Sequence, residues 1–252
     1  MSIFARDPYR RAHEQNPISL VLILVVTFFH FWTQLNEEMF QRFALYTPLI
    51  VEREEWWRIF TVWFVHGDLL HYLFNTFFGI LIFSAALERI VGSGRFAIVF
   101  FGSGILASLA IVGWDWFLIV EQADMRPTVG ISGAIFGVLG AFLYLTMRRP
   151  EWFTPSDVSS IRGLIVLNVV FTFLYPNISI PGHIGGLIAG YLVAMAMPYP
   201  SGPGGRKRRR GFEDPFAEGY IDPAEDDIID ADVEIEDDDD DDPFGRYDRY
   251  FD

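Results

Sequence analysis

Six apolar stretches, separated by shorter polar segments, run through the first 200 residues: near 17–33, 69–87, 95–114, 132–147, 161–175 and 182–198. A helix needs roughly 17 to 25 apolar residues to cross a bilayer. Most of these stretches approach that length, the fourth to sixth being on the short side, so the pattern predicts an all-α membrane protein with six spanning helices. The first stretch follows a polar lead and ends in FHFWTQLNEE without a small-residue cleavage site, so it reads as a retained span and not as a cleaved signal peptide. The expected organisation is an N-terminal segment 1–16, a six-span domain 17–198, a basic linker 199–212 and a tail 213–252.

Composition agrees with a membrane class. Hydrophobic residues make up 51% of the chain and aromatic residues 17%, too apolar for one or two soluble domains of this length. The absence of cysteine excludes disulfides, thiol nucleophiles and cysteine metal sites. The net charge of −14 is a property of the tail: residues 1–212 hold 14 acidic and 17 basic side chains, whereas residues 213–252 hold 19 acidic side chains and two Arg. That tail, with its EDDDDDD run, lacks the apolar surface to offset chain entropy and is expected to be disordered.

Basic residues alternate between loops. Arg6, Arg10 and Arg11 precede span 1, Arg89 and Arg95 separate spans 2 and 3, Arg148, Arg149 and Arg162 separate spans 4 and 5, and RKRRR (206–210) follows span 6. By the positive-inside rule both termini are cytoplasmic and spans 2, 4 and 6 start at the outer side. The 206–210 cluster is a candidate contact for anionic lipid head groups, although an orientation anchor explains it more simply. One lysine among the basic residues and the polyacidic end suggest a prokaryotic source, hence a plasma-membrane location.

On this topology the unusual polar residues fall at one depth. His71 and Asn75 open span 2, Ser132 opens span 4 and His183 opens span 6, all in the outer leaflet. Polar groups inside spans are costly and face a bundle interior or a water-filled cavity. A serine hydroxyl becomes a nucleophile when a base removes its proton, and histidine is tuned for that near neutral pH. Ser132 with His183 can form such a pair, with no acidic residue obviously placed as a third member. His71, Asn75 and the Ser132 backbone N–H, free at a helix start, are available to stabilise an oxyanion.

A second reading of the same stretch competes. Gly133 to Gly137 and Gly186 to Gly190 are both GxxxG spacings, which often signify only close helix packing. Gly130 and Gly133, in contrast, would keep space around a reactive Ser132. Both readings can hold together. The soluble-hydrolase GxSxG elbow does not fit, because Gly133 follows Ser132 directly. No HExxH is present, and His66 and His71 are five apart, off the i,i+4 face preferred for two ligands on one helix, so they make only a weak candidate metal site. His30 reads as an interfacial residue near the end of span 1, and the loop PNISIPG (176–182) as a cap over the site.

These residues carry a resemblance to the rhomboid intramembrane serine proteases that covers the core from about 17 to 198. WRIFTVWFVHGDLLHYLFN (57–75) resembles the family's WR and HxxxxHxxxN signature, ERIVGSGRF (88–96) its ExxxGSxRF turn, GISGAIFG its GxSG motif and GHIGGLIAG (182–190) its HxGGxxxG motif. The resemblance implies a six-span bundle of rhomboid type, with Ser132 as nucleophile and His183 as general base. It further implies an oxyanion site from His71, Asn75 and the Ser132 N–H, His66 as loop support, and Phe136 stacked on the His183 ring. Trp57, Arg58 and Glu88 fall at structural positions. Implied partners are single-pass transmembrane substrates within the lipid bilayer, with no cofactor and no nucleic acid. An inactive membrane-protein-binding scaffold is the alternative from another class; a transporter is disfavoured by the lack of visible internal symmetry.

Overall fold

The computed structural model describes residues 16–118, 126–176 and 178–199 of the 252-residue chain. The N-terminal segment up to residue 15, the basic cluster 206–210 and the acidic tail 213–252 lie outside the described residues. So does the polar stretch EQADM (121–125) between spans 3 and 4.

The described residues form an α-helical bundle. Helix α1 (Pro17–Gln34) leads into a long loop that carries α2 (Glu37–Phe43), α3 (Thr47–Arg53) and α4 (Arg58–Thr61). The next span begins as α5 (Leu69–Leu73), widens into a π-helical stretch (Phe74–Ser84) and closes as α6 (Ala85–Val91). The i→i−5 spacing of that stretch is repeated by a side chain, since Ser84 Oγ donates to Gly79 O at 2.9 Å. Helices α7 (Ser93–Leu118), α8 (Ser132–Arg148), α9 (Pro155–Leu174) and α10 (Ile180–Ala196) complete the bundle.

Among the described residues, four segments are long and apolar enough to cross a membrane: Pro17–Gln34, Leu69–Val91, Ser93–Leu118 and Pro155–Leu174. Helices α8 and α10 are shorter, 17 residues each, or about 25 Å at 1.5 Å per residue. The fifth stretch is therefore longer than its apolar core suggested. It starts at Pro155 because Thr154 and Asp157 form a reciprocal capping box, with Asp157 N–H donating to Thr154 Oγ1 at 3.1 Å and Thr154 N–H donating to Asp157 Oδ2 at 3.2 Å. Similarly, α10 starts at Ile180, where Ser179 Oγ caps by accepting from Gly182 N–H at 3.2 Å. The last three residues of the expected 176–182 cap, Ile180 to Gly182, are thus the first turn of a helix.

Helix α8 is the hub. Every residue from Ala134 to Phe142 is buried, as expected for a helix that is apolar all round. Its neighbours approach closely because they are small at the contact. A Cβ on Gly190 would run into the carbonyl of Gly137, and one on Gly186 into the carbonyl of Gly133. The two GxxxG spacings therefore face each other across the α8–α10 contact.

The long loop after α1 is fastened at several points. The buried Arg58 guanidinium pairs with Glu55 at 2.6 Å and donates to the carbonyls of Gln41 (2.8 Å) and Ala44 (2.7 Å). Leu45 and Thr128 exchange backbone hydrogen bonds of 2.9 and 2.8 Å, and Gly130 N–H donates to Val62 O at 3.0 Å. The loop is thereby tied to the residues immediately before Ser132. At the other end of the bundle the buried Glu88 carboxylate accepts from Ile18 N–H, Ser19 N–H, Ser19 Oγ–H and Ser93 Oγ–H at 2.7–3.0 Å. It thus occupies N–H groups at the start of α1 that have no intrahelical partner.

Candidate active site

Ser132 is the first residue of α8, and the chain reaches it through Gly130 at φ +117. A side chain there would be strained, and it would also collide: a Cβ on Gly130 would lie 2.9 Å from Cε1 and Nε2 of the His71 ring and 3.9 Å from Asn75 Nδ2. Gly130 thus keeps the approach between Ser132 and the His71–Asn75 pair open. Gly133 differs: a Cβ there would meet Ala107 Cβ at 2.8 Å and Gly182 O at 3.4 Å. Its smallness serves the packing of α7 and α10 on α8.

His183 lies one turn into α10, and its Nε2 is 2.9 Å from Ser132 Oγ across 51 residues of sequence. The close α8–α10 contact made by the glycines produces this approach. Phe136, one turn after Ser132, lies against the His183 ring with centroids 3.9 Å apart and planes 19° apart. On its far side the imidazole meets a residue not singled out from the sequence: Thr172 Oγ1, on the last turn of α9, is 3.0 Å from His183 Nδ1.

The candidate oxyanion donors stand at the start of the second span. Asp68 caps α5 by accepting from His71 N–H at 2.8 Å, which fixes where the His71 side chain leaves the helix. Asn75 Nδ2 donates to His71 O at 3.0 Å, so the two residues share a face. The first turn of α8 adds the N–H groups of Ser132 and Gly133, which have no intrahelical carbonyl to meet.

His66 is fully buried in the loop before α5, with its ring 5.1 Å from that of His71 and 5.9 Å from that of Tyr72. Burial, reinforced by neighbouring His71 and His30, holds its pKa well below the ordinary 6.5, so it sits as neutral imidazole. Gln34 Nε2 donates to His66 O at 2.9 Å, tying α1 to this loop. His30 is also buried, only 2% exposed, and its ring stacks on Tyr72 at 4.3 Å with planes 1° apart. That overturns the interfacial reading, because the folded loop covers this end of α1. Among the described residues no three acidic or histidine side chains converge as a metal site.

A cavity of about 20 Å³ adjoins Ser132 and His183, bordered by Gly104, Ala107, Ser179 and Gly182, enough for about one water molecule. A larger hollow of about 570 Å³ lies in the long loop after α1, between Glu38, Tyr46, Trp57 and Arg58. It contains neither member of the Ser132–His183 pair, so the smaller space is the chemically relevant one.

The fold and this site define a polytopic helical membrane protein with a serine and a histidine in contact inside the bundle. The family model for the Rhomboid domain matches residues 53–200. The chain is 34% identical over 165 residues to Rhomboid protease GluP of Bacillus subtilis, which is 66% of this chain and 31% of that protein. It is 35% identical over 144 residues to the rhomboid-named YdcA of the same organism, 57% of this chain and 68% of the relative. Rhomboid-like protease 1 of Toxoplasma gondii is 29% identical over 158 residues, 60% of this chain and 50% of the relative. The chain belongs to the rhomboid family and is an integral multi-pass membrane protein. The match spans about a third of the length of GluP and half that of the Toxoplasma relative.

Proposed function

We propose that this protein is an intramembrane serine endopeptidase that cuts single-pass membrane proteins in or near their spanning segment. The observation that carries the proposal is the 2.9 Å contact between Ser132 Oγ and His183 Nε2, made by helices that pack through small residues. GluP, named a rhomboid protease, supports the activity class.

In this reading Nε2 takes the Ser132 hydroxyl proton as Oγ attacks the substrate carbonyl. The resulting oxyanion accepts hydrogen bonds from the Ser132 N–H, the Asn75 amide and the His71 ring. His183 then returns the proton to the leaving amine as the C–N bond breaks, leaving an acyl group on Ser132. A water, deprotonated by His183, releases the new carboxyl end and regenerates the serine. Phe136 holds the imidazole plane, and His66 supports the loop that presents His71. The small cavity between Gly104, Ala107 and Gly182 suits a small side chain at the cut residue.

The finer placement is a prokaryotic plasma membrane, with the segments before α1 and after α10 facing the cytoplasm. It rests on the alternation of Arg-rich loops. The 206–210 cluster would then face anionic lipid head groups.

The test is cleavage of a single-pass reporter by the purified chain in proteoliposomes. Cleavage that disappears in Ser132→Ala and in His183→Ala supports the proposal. A folded wild-type protein that binds the reporter without cutting it refutes it in favour of a binding scaffold.

A further inference from the structure

The environment of His183 poses a question that the serine–base pair leaves open. Nε2 can act as a base only if the ring proton sits on the other nitrogen, and a neutral imidazole carries one N–H. Among the described residues the group that faces Nδ1 is a hydroxyl and not a carboxylate, so the tautomer depends on what that hydroxyl offers.

We propose that Thr172 is a positioning residue: its hydroxyl oxygen accepts from His183 Nδ1–H and so keeps the Nε2 lone pair directed at Ser132. This rests on the protease reading above. The proton count carries it. A threonine hydroxyl has one proton, and that of Thr172 is given to Asn168 O at 2.9 Å, one turn back on α9. What faces Nδ1 at 3.0 Å is therefore an oxygen lone pair. The opposite tautomer would set the Nδ1 lone pair against that of Thr172, unless Thr172 withdrew its proton from the carbonyl.

The resulting chain runs Ser132 Oγ–H to Nε2, Nδ1–H to Thr172 Oγ1, and Thr172 Oγ1–H to Asn168 O. It links α8, α10 and α9 in one direction. Thr172 is 2% exposed, so bulk water does not compete for Nδ1. A β-branched side chain with its hydroxyl fixed on the backbone has little rotamer freedom, which makes it a stiff acceptor. Thr172 also lies in the last turn of α9, which ends at Leu174. The partial negative charge at the C-terminus of α9 offsets the positive N-terminal end of α10, on whose first turn His183 stands, when Nε2 takes the serine proton.

The test pairs kinetics with spectroscopy on the full chain. Thr172→Val keeps the shape and removes the acceptor; Thr172→Ser keeps the acceptor. With a single-pass reporter in proteoliposomes, the valine variant is expected to lower kcat about ten-fold, the size expected for one net hydrogen bond. KM should stay within about two-fold, and the serine variant should recover most of the loss. A helix-packing role alone would not discriminate between valine and serine in this way. ¹⁵N-histidine spectra of the wild type, with His183 assigned by its disappearance in His183→Ala, should place the proton on Nδ1.

Wild-type kcat in Thr172→Val, an equal loss in Thr172→Ser, or a proton on Nε2 would each overturn the proposal. The spectra need neither a folded Thr172 variant nor activity, so they decide the tautomer independently. Should the wild type itself fail to cleave, the protease reading falls while the Nδ1 assignment is still tested.

Discussion

Phe136 and His183 stack face to face, 3.9 Å between ring centroids, although they come from different helices. Phe136 stands one turn beyond Ser132 on α8, so a single helix fixes both the hydroxyl and the surface against which its partner imidazole rests. Aromatic stacking of this kind contributes about 0.5–1.5 kcal/mol beyond burial. Phe136→Ala should therefore cut reporter cleavage by about ten-fold or more, because the ring loses its stop as well as its contact. Phe136→Tyr, which keeps the face, should stay within about three-fold of wild type. Initial cleavage rates at matched protein concentration check both values.

The α8–α10 contact gives a sharper stability prediction. A Cβ at Gly190 lands on the Gly137 backbone, which cannot rotate away. Gly190→Ala should destabilise the protein by about 1–3 kcal/mol or more and separate Ser132 from His183, reducing cleavage in the fraction that remains folded. Gly102 and Gly113, on α7, have open space where a Cβ would stand, with no neighbouring atom within 4 Å. Alanine at either should be neutral or raise stability by about 0.5–1 kcal/mol through its better helix propensity. Thermal melts in detergent, run side by side, test the contrast.

Glu88 should matter for folding and not for chemistry. Its carboxylate accepts four hydrogen bonds at the start of α1 and from Ser93. Glu88→Gln brings an NH₂ group among those donors and should cost about 1–3 kcal/mol. Protein that remains folded at low temperature should cleave the reporter at a rate within about two-fold of wild type.

His66 predicts an acid-sensitive fold. Its folded pKa lies well below 6.5, so the unfolded chain binds the extra proton first. The stability associated with the neutral, buried ring is fully present above about pH 6.5 and declines as pH falls below it toward the folded pKa. The melting temperature should drop between about pH 6.5 and 5. In His66→Gln, whatever its absolute stability, the pH slope over that window should be shallower than in wild type.

Ser132, His183, His71 and Asn75 are visible in the sequence for one physical reason: each is a polar interruption of an apolar run. Phe136 is itself apolar and stands out only through the family resemblance. Thr172 is not visible in this way, because a threonine in a membrane helix can return its hydroxyl to the i−4 carbonyl and pass as ordinary filler. Its place in the last turn of span 5, next to the segment that opens span 6 with His183, is the available signal. His30 is misplaced by hydropathy, which measures distance along the helix and not what folds over its end. The start of α9 escapes for a related reason: an apolar criterion begins at residue 161, whereas the helix begins at its cap, in the polar TPSD segment.

The central claim is that Ser132 is activated by His183. The most direct measurement is labelling of the purified protein in detergent by a fluorophosphonate, comparing wild type with Ser132→Ala and His183→Ala. Activation of Ser132 by His183 predicts labelling of wild type, none of Ser132→Ala and a strong loss in His183→Ala. Labelling that persists in Ser132→Ala, or a folded wild type that stays unlabelled although the reagent reaches its site, would contradict it.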